Sequence, residues 1–192
     1  MAGFNFNQRT EYSPTPLSIP LVEQVLHWDG IEAGDSAPII ARRILDFVNN
    51  GALVRDFRRW CISPEAPECV SQLSKKWAEL LFCSVVSDIY SCHRHKQNLE
   101  VSSDLFPFWQ IYGGAYYCKR HSSLDGFVAR PNDPVWNEVY PPNGWMCGCS
   151  VLAIMKMDVR PRTRISRPIS EALRLECTSW LQSRPDHILH MI

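Results

Sequence analysis

Apolar side chains recur every three or four residues through the first half of the chain, which predicts a series of amphipathic helices. A short first helix should end at Asp29 and Gly30. The second should begin at Asp35, where a capping side chain precedes a proline in the first turn, and it should end at 49–51, where Asn-Asn-Gly favours a left-handed stop. A third helical piece should end before Ser63 and Pro64.

The longest predicted helix runs from about 68 to 95. Its middle is apolar nearly all round, so we expect it to be the central buried element. A basic cluster at 92–96 should form its solvated C-terminal end, where positive charge suits the helix dipole.

The pattern changes after residue 105. Residues 106–112 are aromatic and strand-like, and shorter β-like pieces occur at 127–128 and 150–157. The chain between them is rich in Pro, Gly, Asn and Asp, so metal ligation or dense aromatic packing must hold it together. Pro168 should open a last amphipathic helix. The expected fold is α+β: a helical N-terminal half packed on a small, loop-rich β module stapled by metal or aromatic packing, with a C-terminal helix.

This organisation divides the chain into four regions. They are an extended arm (1–17), a helical region (18–105), a β/loop module (106–157), and a basic connector with the C-terminal helix (158–192).

Composition removes several classes of function. The formal charge is zero, so no global field steers the protein towards DNA or an acidic membrane surface. The longest apolar window, 80–86, is far shorter than the ~20 residues that span a bilayer. Eight cysteines follow an N-terminus without the features of a secretory leader, so we expect a reducing compartment, in which cysteines are buried hydrophobes or metal ligands.

Four residues in the β/loop module have the chemistry of a zinc site. Cys118 and His121 form a C-x-x-H pair, and Cys147 and Cys149 later form a C-x-C pair. Thiolate and imidazole are the ligands that Zn²⁺ prefers, and four of them close a structural site. Asp125 is the substitute ligand if Cys118 points away. The alternative is that the cysteines fill the core and His121 hydrogen-bonds the Asp125 carboxylate.

A catalytic use of the same residues is less well supported. Cys118 or Cys147 beside His121 would make a thiolate nucleophile, but neither cysteine stands in a protease signature. Four candidate ligands favour metal over catalysis, and we expect no enzymatic activity.

Two further sets of residues allow either a binding or a structural interpretation. Trp136, Tyr140 and Trp145 would serve as a binding platform, although packing beneath the neighbouring prolines is the favoured interpretation. The basic residues of the connector would contact DNA weakly or bind an acidic partner, although a solvated connector is favoured. These residues are Lys156, Arg160, Arg162, Arg164 and Arg167.

The module also carries an ordered set of rare residues. After an aromatic strand come His121 with Asp-Gly four residues on, Asp-Pro-x-Trp at 133–136, Tyr-Pro-Pro-Asn-Gly at 140–144, and the two cysteines of C-x-C. In this order the segment 108–153 resembles the phage Mu F-like minor head protein family, also called the phage head morphogenesis family. Two family arginines are absent, because Cys118-Lys119-Arg120-His121 replaces R-P-x-H and Gly148 replaces the arginine of C-R-C.

The resemblance implies a phage or prophage protein that acts in head morphogenesis. It would be a minor capsid component near the portal, located in the virion or the host cytoplasm, that binds head or portal proteins and no membrane. The missing arginines motivate an alternative, a diverged phage accessory protein that binds and inhibits a host protein. Relatives of the module also occur fused to toxins, but no catalytic constellation in this chain supports that role.

Overall fold

The computed structural model of the protein describes residues 11–113, 121–159 and 169–186. The helices are α1 (Ser18–Trp28), α2 (Ser36–Asn49), α3 (Val54–Cys61), α4 (Glu68–Ser71), α5 (Lys75–Val101), α6 (Trp136–Val139) and α7 (Glu171–Ser179), with short 3-10 helices at Lys156–Asp158 and Trp180–Gln182. The strands β1 (Phe108–Tyr112), β2 (Val128–Ala129) and β3 (Ser150–Ile154) form an antiparallel sheet in the order β2–β1–β3. The predicted α+β class is confirmed.

The first three helices follow the sequence pattern closely. The chain after α2 turns at Gly51, whose φ of +69° is the left-handed conformation that the Asn-Asn-Gly stop predicted. These helices pack with α5 around a core of buried aliphatic and aromatic side chains. Leu80 and Leu81 of α5 are fully buried in that core, so the middle of α5 is the central buried element. Among the described residues, no helix is both long enough and apolar enough to cross a membrane.

The predicted single helix over 68–95 is wrong at both ends. At the start, the chain breaks between α4 and α5. The Ser74 hydroxyl accepts a hydrogen bond from the Trp77 N–H at 3.5 Å, and the Ser74 N–H donates to Asp29 Oδ2 at 2.9 Å. A serine cap therefore begins a new helix, and a carboxylate from the end of α1 fixes that start.

At its other end α5 continues through the basic cluster to Val101, so the cluster is not a helix terminus. The physical reason lies in the β module. The His95 ring meets the rings of Trp109 and Tyr140 edge to face, at centroid distances of 5.3 and 4.8 Å. Burial beside these rings lowers the pKa of His95, which favours the neutral imidazole.

The sheet has a core of its own. Trp109 and Ile111 of β1 point to one face and are fully buried, together with Val151 of β3. The loop helix α6 and Cys177 of α7 pack into the same cluster. An ion pair between Arg174 and Glu138, at 3.2 Å, also joins α7 to α6.

The described part of the N-terminal arm is attached to the helices. The Tyr12 N–H donates to Asn49 Oδ1 at 2.8 Å, and the Tyr12 ring lies 5.2 Å from Tyr90 and 4.9 Å from His93. Three residues later, the Thr15 hydroxyl donates to the buried carboxylate of Asp88. The arm is therefore fastened to α2 and α5 from Tyr12 onwards.

Replacement of Leu81 by alanine tests the central position of α5. Because Leu81 is fully buried, Leu81→Ala should lower the free energy of unfolding by ~2–5 kcal/mol in denaturant titrations. Leu99→Ala is the matched control, since Leu99 lies on the same helix and is 52% exposed. Equal losses in the two variants would show that α5 is not central to the core.

The buried carboxylate of Asp88 should make stability depend on pH. Burial raises the pKa of Asp88 from 3.8 to about 6, although hydrogen bonds from Thr15 and Cys92 oppose the rise. The folded state therefore holds this proton more tightly than the unfolded chain. Its contribution to stability is fully present below about pH 4 and is lost as the pH rises through about 6. Asp88→Asn should remove this decline from a series of unfolding free energies measured between these values, and an unchanged decline would contradict it.

Candidate metal centre

Three of the four predicted zinc ligands come together in the structure. His121, Cys147 and Cys149 are 1%, 4% and 6% exposed, and the donor atoms that they offer all lie within 4.8 Å of one another. His121 comes from the turn after β1, whereas the two cysteines come from the loop that leads into β3. The fourth predicted ligand, Cys118, lies outside the described residues.

Backbone hydrogen bonds to β1 fix the turn that carries His121. The His121 carbonyl accepts from the Leu124 N–H at 2.9 Å, and the Gly126 N–H donates to the Ile111 carbonyl at 2.9 Å. Gly126 has a φ of +75°, which a residue with a side chain rarely adopts. Asp125 Oδ1 accepts from the Gly113 N–H at 2.9 Å, so this carboxylate binds the end of β1 and is not part of the three-residue cluster.

The cysteine loop is attached to α5. The Met146 N–H donates to the Ser84 hydroxyl at 3.1 Å, and the Ser87 hydroxyl donates to the Cys147 carbonyl. Within the loop, the Cys147 N–H donates to the Gly144 carbonyl at 3.1 Å, which closes a turn through Met146 at a positive φ of 52°. Two serines on α5 thus hold the loop at Met146 and Cys147.

The electrostatic environment of Cys147 differs from that of Cys61 and Cys83. Its pKa is lowered to about 5, chiefly by a hydrogen bond with the Cys149 side chain. Hydrogen bonds from His121 and from the backbone N–H groups of Asn143 and Cys149 lower it further, and together they outweigh the opposing effect of burial. Burial instead raises the pKa of Cys61 to about 12 and that of Cys83 to about 11. The cluster therefore favours a thiolate at Cys147, the form that binds metal.

Some residues that shape this site do not belong to the predicted set. Asn143 is 1% exposed, and its Nδ2 donates to the Val139 carbonyl at 2.8 Å, which braces the loop from inside. Ser84 and Ser87 interrupt an apolar stretch of α5 three residues apart. These two polar residues in an apolar stretch were the signal that the sequence offered for a contact with α5. No local pattern in the sequence indicates the backbone N–H groups that donate to the Cys147 sulfur.

The aromatic residues of the loop support packing and not a binding platform. Trp136 and Trp145 are buried, and the indole N–H of Trp136 donates to the Arg130 carbonyl at 2.7 Å. The indole N–H of Trp145 lies within hydrogen-bonding distance of the carbonyls of Trp180, at 3.1 Å, and Ser183, at 3.0 Å. The packing interpretation is confirmed for these two tryptophans.

Part of the chain is similar in sequence to two phage or prophage proteins. It is 35% identical over 75 residues to the Mu-like prophage FluMu F protein of Haemophilus influenzae, which covers 38% of this chain and 18% of that protein. It is 36% identical over 67 residues to the putative capsid assembly protein F of Escherichia phage Mu, which covers 34% of this chain and 15% of that protein. Over about a third of its length, the chain is similar to these two F proteins.

The resemblance that the sequence motifs indicated is therefore confirmed over about a third of the chain. It spans less than a fifth of the length of these two relatives. No family model and no solved structure matches it. The predicted DNA-contacting arginines, Arg160, Arg162, Arg164 and Arg167, lie outside the described residues, so that contact stays a prediction.

The environment of Cys147 predicts a distinctive titration. In chelator-treated, reduced protein, thiolate absorbance in the ultraviolet should rise in a transition near pH 5, and Cys147→Ser should abolish it. Cys61→Ser is the control and should keep the transition, because burial raises the pKa of that thiol. A first thiolate transition no lower than the ~8.5 of a free cysteine would contradict this environment.

Proposed function

We propose that the chain acts in phage head assembly as a binding component and not as an enzyme. The observation that carries the proposal is its similarity to the F proteins, one of which is named a capsid assembly protein. Because the chain spans less than a fifth of that relative, the proposal assigns it the role of the shared segment alone. Its partner would be a protein of the phage head or portal.

Burial of the cluster supports a binding role over catalysis. A thiolate nucleophile has to reach its substrate, but Cys147 and His121 are almost completely buried. Both lie in segments that are hydrogen-bonded to neighbouring elements, which is the arrangement of a structural centre. The surface, and not this cluster, is where the partner should bind.

The face of α5 around Tyr90 has the features of a contact surface. Tyr90 is 52% exposed and lines a groove of about 370 Å³ between α5 and the cysteine loop. Val86 and Met146 give this groove apolar walls, and Arg94 adds a positive charge one turn beyond Tyr90. Tyrosine and arginine are among the residue types that are enriched in binding hot spots.

The N-terminal arm leads to the same face. Tyr12 contacts Tyr90 at the rim of the groove, and residues 1–10 precede it in the sequence. They include Phe4 and Phe6, two large apolar side chains in a polar sequence. The groove and these ten residues would together form one binding surface for the head protein.

Particle incorporation of targeted variants tests this function. Phage particles assembled with the full chain should contain it when purified and analysed by mass spectrometry. Deletion of residues 2–10 should reduce incorporation strongly, and Tyr90→Ala should reduce it by about tenfold or more, since a hot-spot tyrosine is worth at least ~1.4 kcal/mol. Tyr112→Ala is the matched control, because Tyr112 is also 52% exposed but lies on the sheet.

Circular dichroism of each variant separates a lost contact from a lost fold. Undiminished incorporation of both the deletion and Tyr90→Ala would overturn the assignment of the surface. Absence of the full chain from particles, together with a stable complex with a host protein, would overturn the head-assembly function and favour the host-binding alternative.

A further inference from the structure

We propose that His121, Cys147 and Cys149 bind one structural zinc ion that joins the β module to the helical body. The proposal goes beyond the role in head assembly and does not depend on it. It starts from donor chemistry, since two thiols and one imidazole are the soft and borderline ligands that Zn²⁺ selects. In the described part of the chain, these three side chains form a group of His and Cys donors close enough together to hold a metal ion.

The spacing of the donors fits an ion between them. With Zn–S bonds of about 2.3 Å and Zn–N bonds of about 2.0 Å, donors on a tetrahedron lie about 3.4–3.8 Å apart. The donor atoms of the cluster lie within 4.8 Å of one another. The separations in the cluster therefore exceed the tetrahedral spacing by at most about 1 Å.

The surroundings of the sulfur atoms also fit a bound metal. The backbone N–H groups of Asn143 and Cys149 donate to the Cys147 sulfur, so part of the negative charge of a thiolate is already compensated. Partners of this kind orient the ligands of metal sites and stabilise their charged forms. The C-x-C spacing places the backbone N–H of Cys149 beside the Cys147 sulfur. The loop would therefore supply two thiolate ligands to the metal and also a hydrogen-bond donor to one of them.

An ion at this position would connect elements that have no covalent link. His121 belongs to a turn that is hydrogen-bonded to β1, and the two cysteines belong to a loop that Ser84 and Ser87 hold against α5. The metal would therefore connect the turn beside β1 to the loop beside α5. Its three ligands are almost completely buried, so water would have little access to these bonds. Such a position suits a structural ion, whose binding free energy adds to the stability of the fold.

A closed structural site takes four ligands, and the described residues supply three of them. The C-x-x-H spacing predicts Cys118 as the fourth. Two other states of the same residues are chemically reasonable: a metal-free, hydrogen-bonded cluster, and a Cys147–Cys149 disulfide formed by loss of two electrons to an external oxidant. Metal analysis and spectroscopy distinguish all three states.

The first experiment measures metal in the full chain, purified under reducing conditions without a chelator. Elemental analysis should find about one zinc per chain. Replacement by Co²⁺ should produce the visible bands of a tetrahedral ion and the near-ultraviolet charge-transfer bands of cobalt–thiolate bonds. A chelator should then remove the bands and lower the melting temperature. A folded protein that carries no zinc and gives no cobalt–thiolate bands would overturn the proposal.

Variants assign the ligands. Cys147→Ser, Cys149→Ser and His121→Ala should each lower the zinc affinity by more than the ~10–100-fold that loss of an outer-shell partner costs. Cys61→Ser is the matched control, because Cys61 is a buried cysteine outside the cluster and is 3% exposed. That variant should keep one zinc per chain even if it is less stable. Equal loss of zinc in Cys61→Ser would mean that the effect is unfolding, and it would remove the ligand assignment.

Cys118→Ser tests the fourth position. A weaker zinc affinity, with cobalt–thiolate bands reduced from three sulfurs to two, would support the C-x-x-H prediction. Unchanged affinity and unchanged bands would contradict that prediction and restrict the site to the three residues of the cluster. Zinc content is measured on the isolated protein, so its outcome is separate from that of particle incorporation.

Discussion

The position of the β module depends on its attachment to α5. Ser84 accepts a hydrogen bond from the loop at Met146, Ser87 donates one to the loop at Cys147, and three turns further on Asn98 Nδ2 donates to the Val151 carbonyl of β3 at 2.8 Å. With 27 residues, α5 is about 40 Å long, which is enough to serve the helical core in its first half and the sheet in its second. One helix thus places both halves of the protein relative to each other.

This attachment gives the cysteine loop two different sides. On one side the thiols of Cys147 and Cys149 meet His121, and on the other side the loop forms a wall of the groove beside Tyr90. A proposed metal centre and a proposed contact surface therefore share one segment of the backbone. A metal on the buried side would fix the shape of the loop, and with it the surface that the exposed side would offer to the proposed partner.

The sequence predicted features that depend on local chemistry and missed those that depend on distant contacts. Spacing and stop signals located α1 to α3, and motif spacing identified the residues that converge on His121. The break at Ser74 was missed, because a carboxylate 45 residues earlier, on Asp29, fixes it. The extension of α5 past His95 was missed because the rings that surround this histidine come from the β module. Hydrogen bonds to sulfur leave no local pattern, so the donor role of Asn143 was also missed.

Amide hydrogen exchange in a Ser84→Ala variant measures most directly whether α5 holds the module in place. Ser84 is the acceptor for the Met146 N–H, so its removal should release the loop first. Exchange should become faster at Met146, across 140–149 and along β1 and β3, while the core amides of α1, α2 and α3 keep their protection. Unchanged exchange in the loop, or an equal increase in all helices and strands, would contradict it.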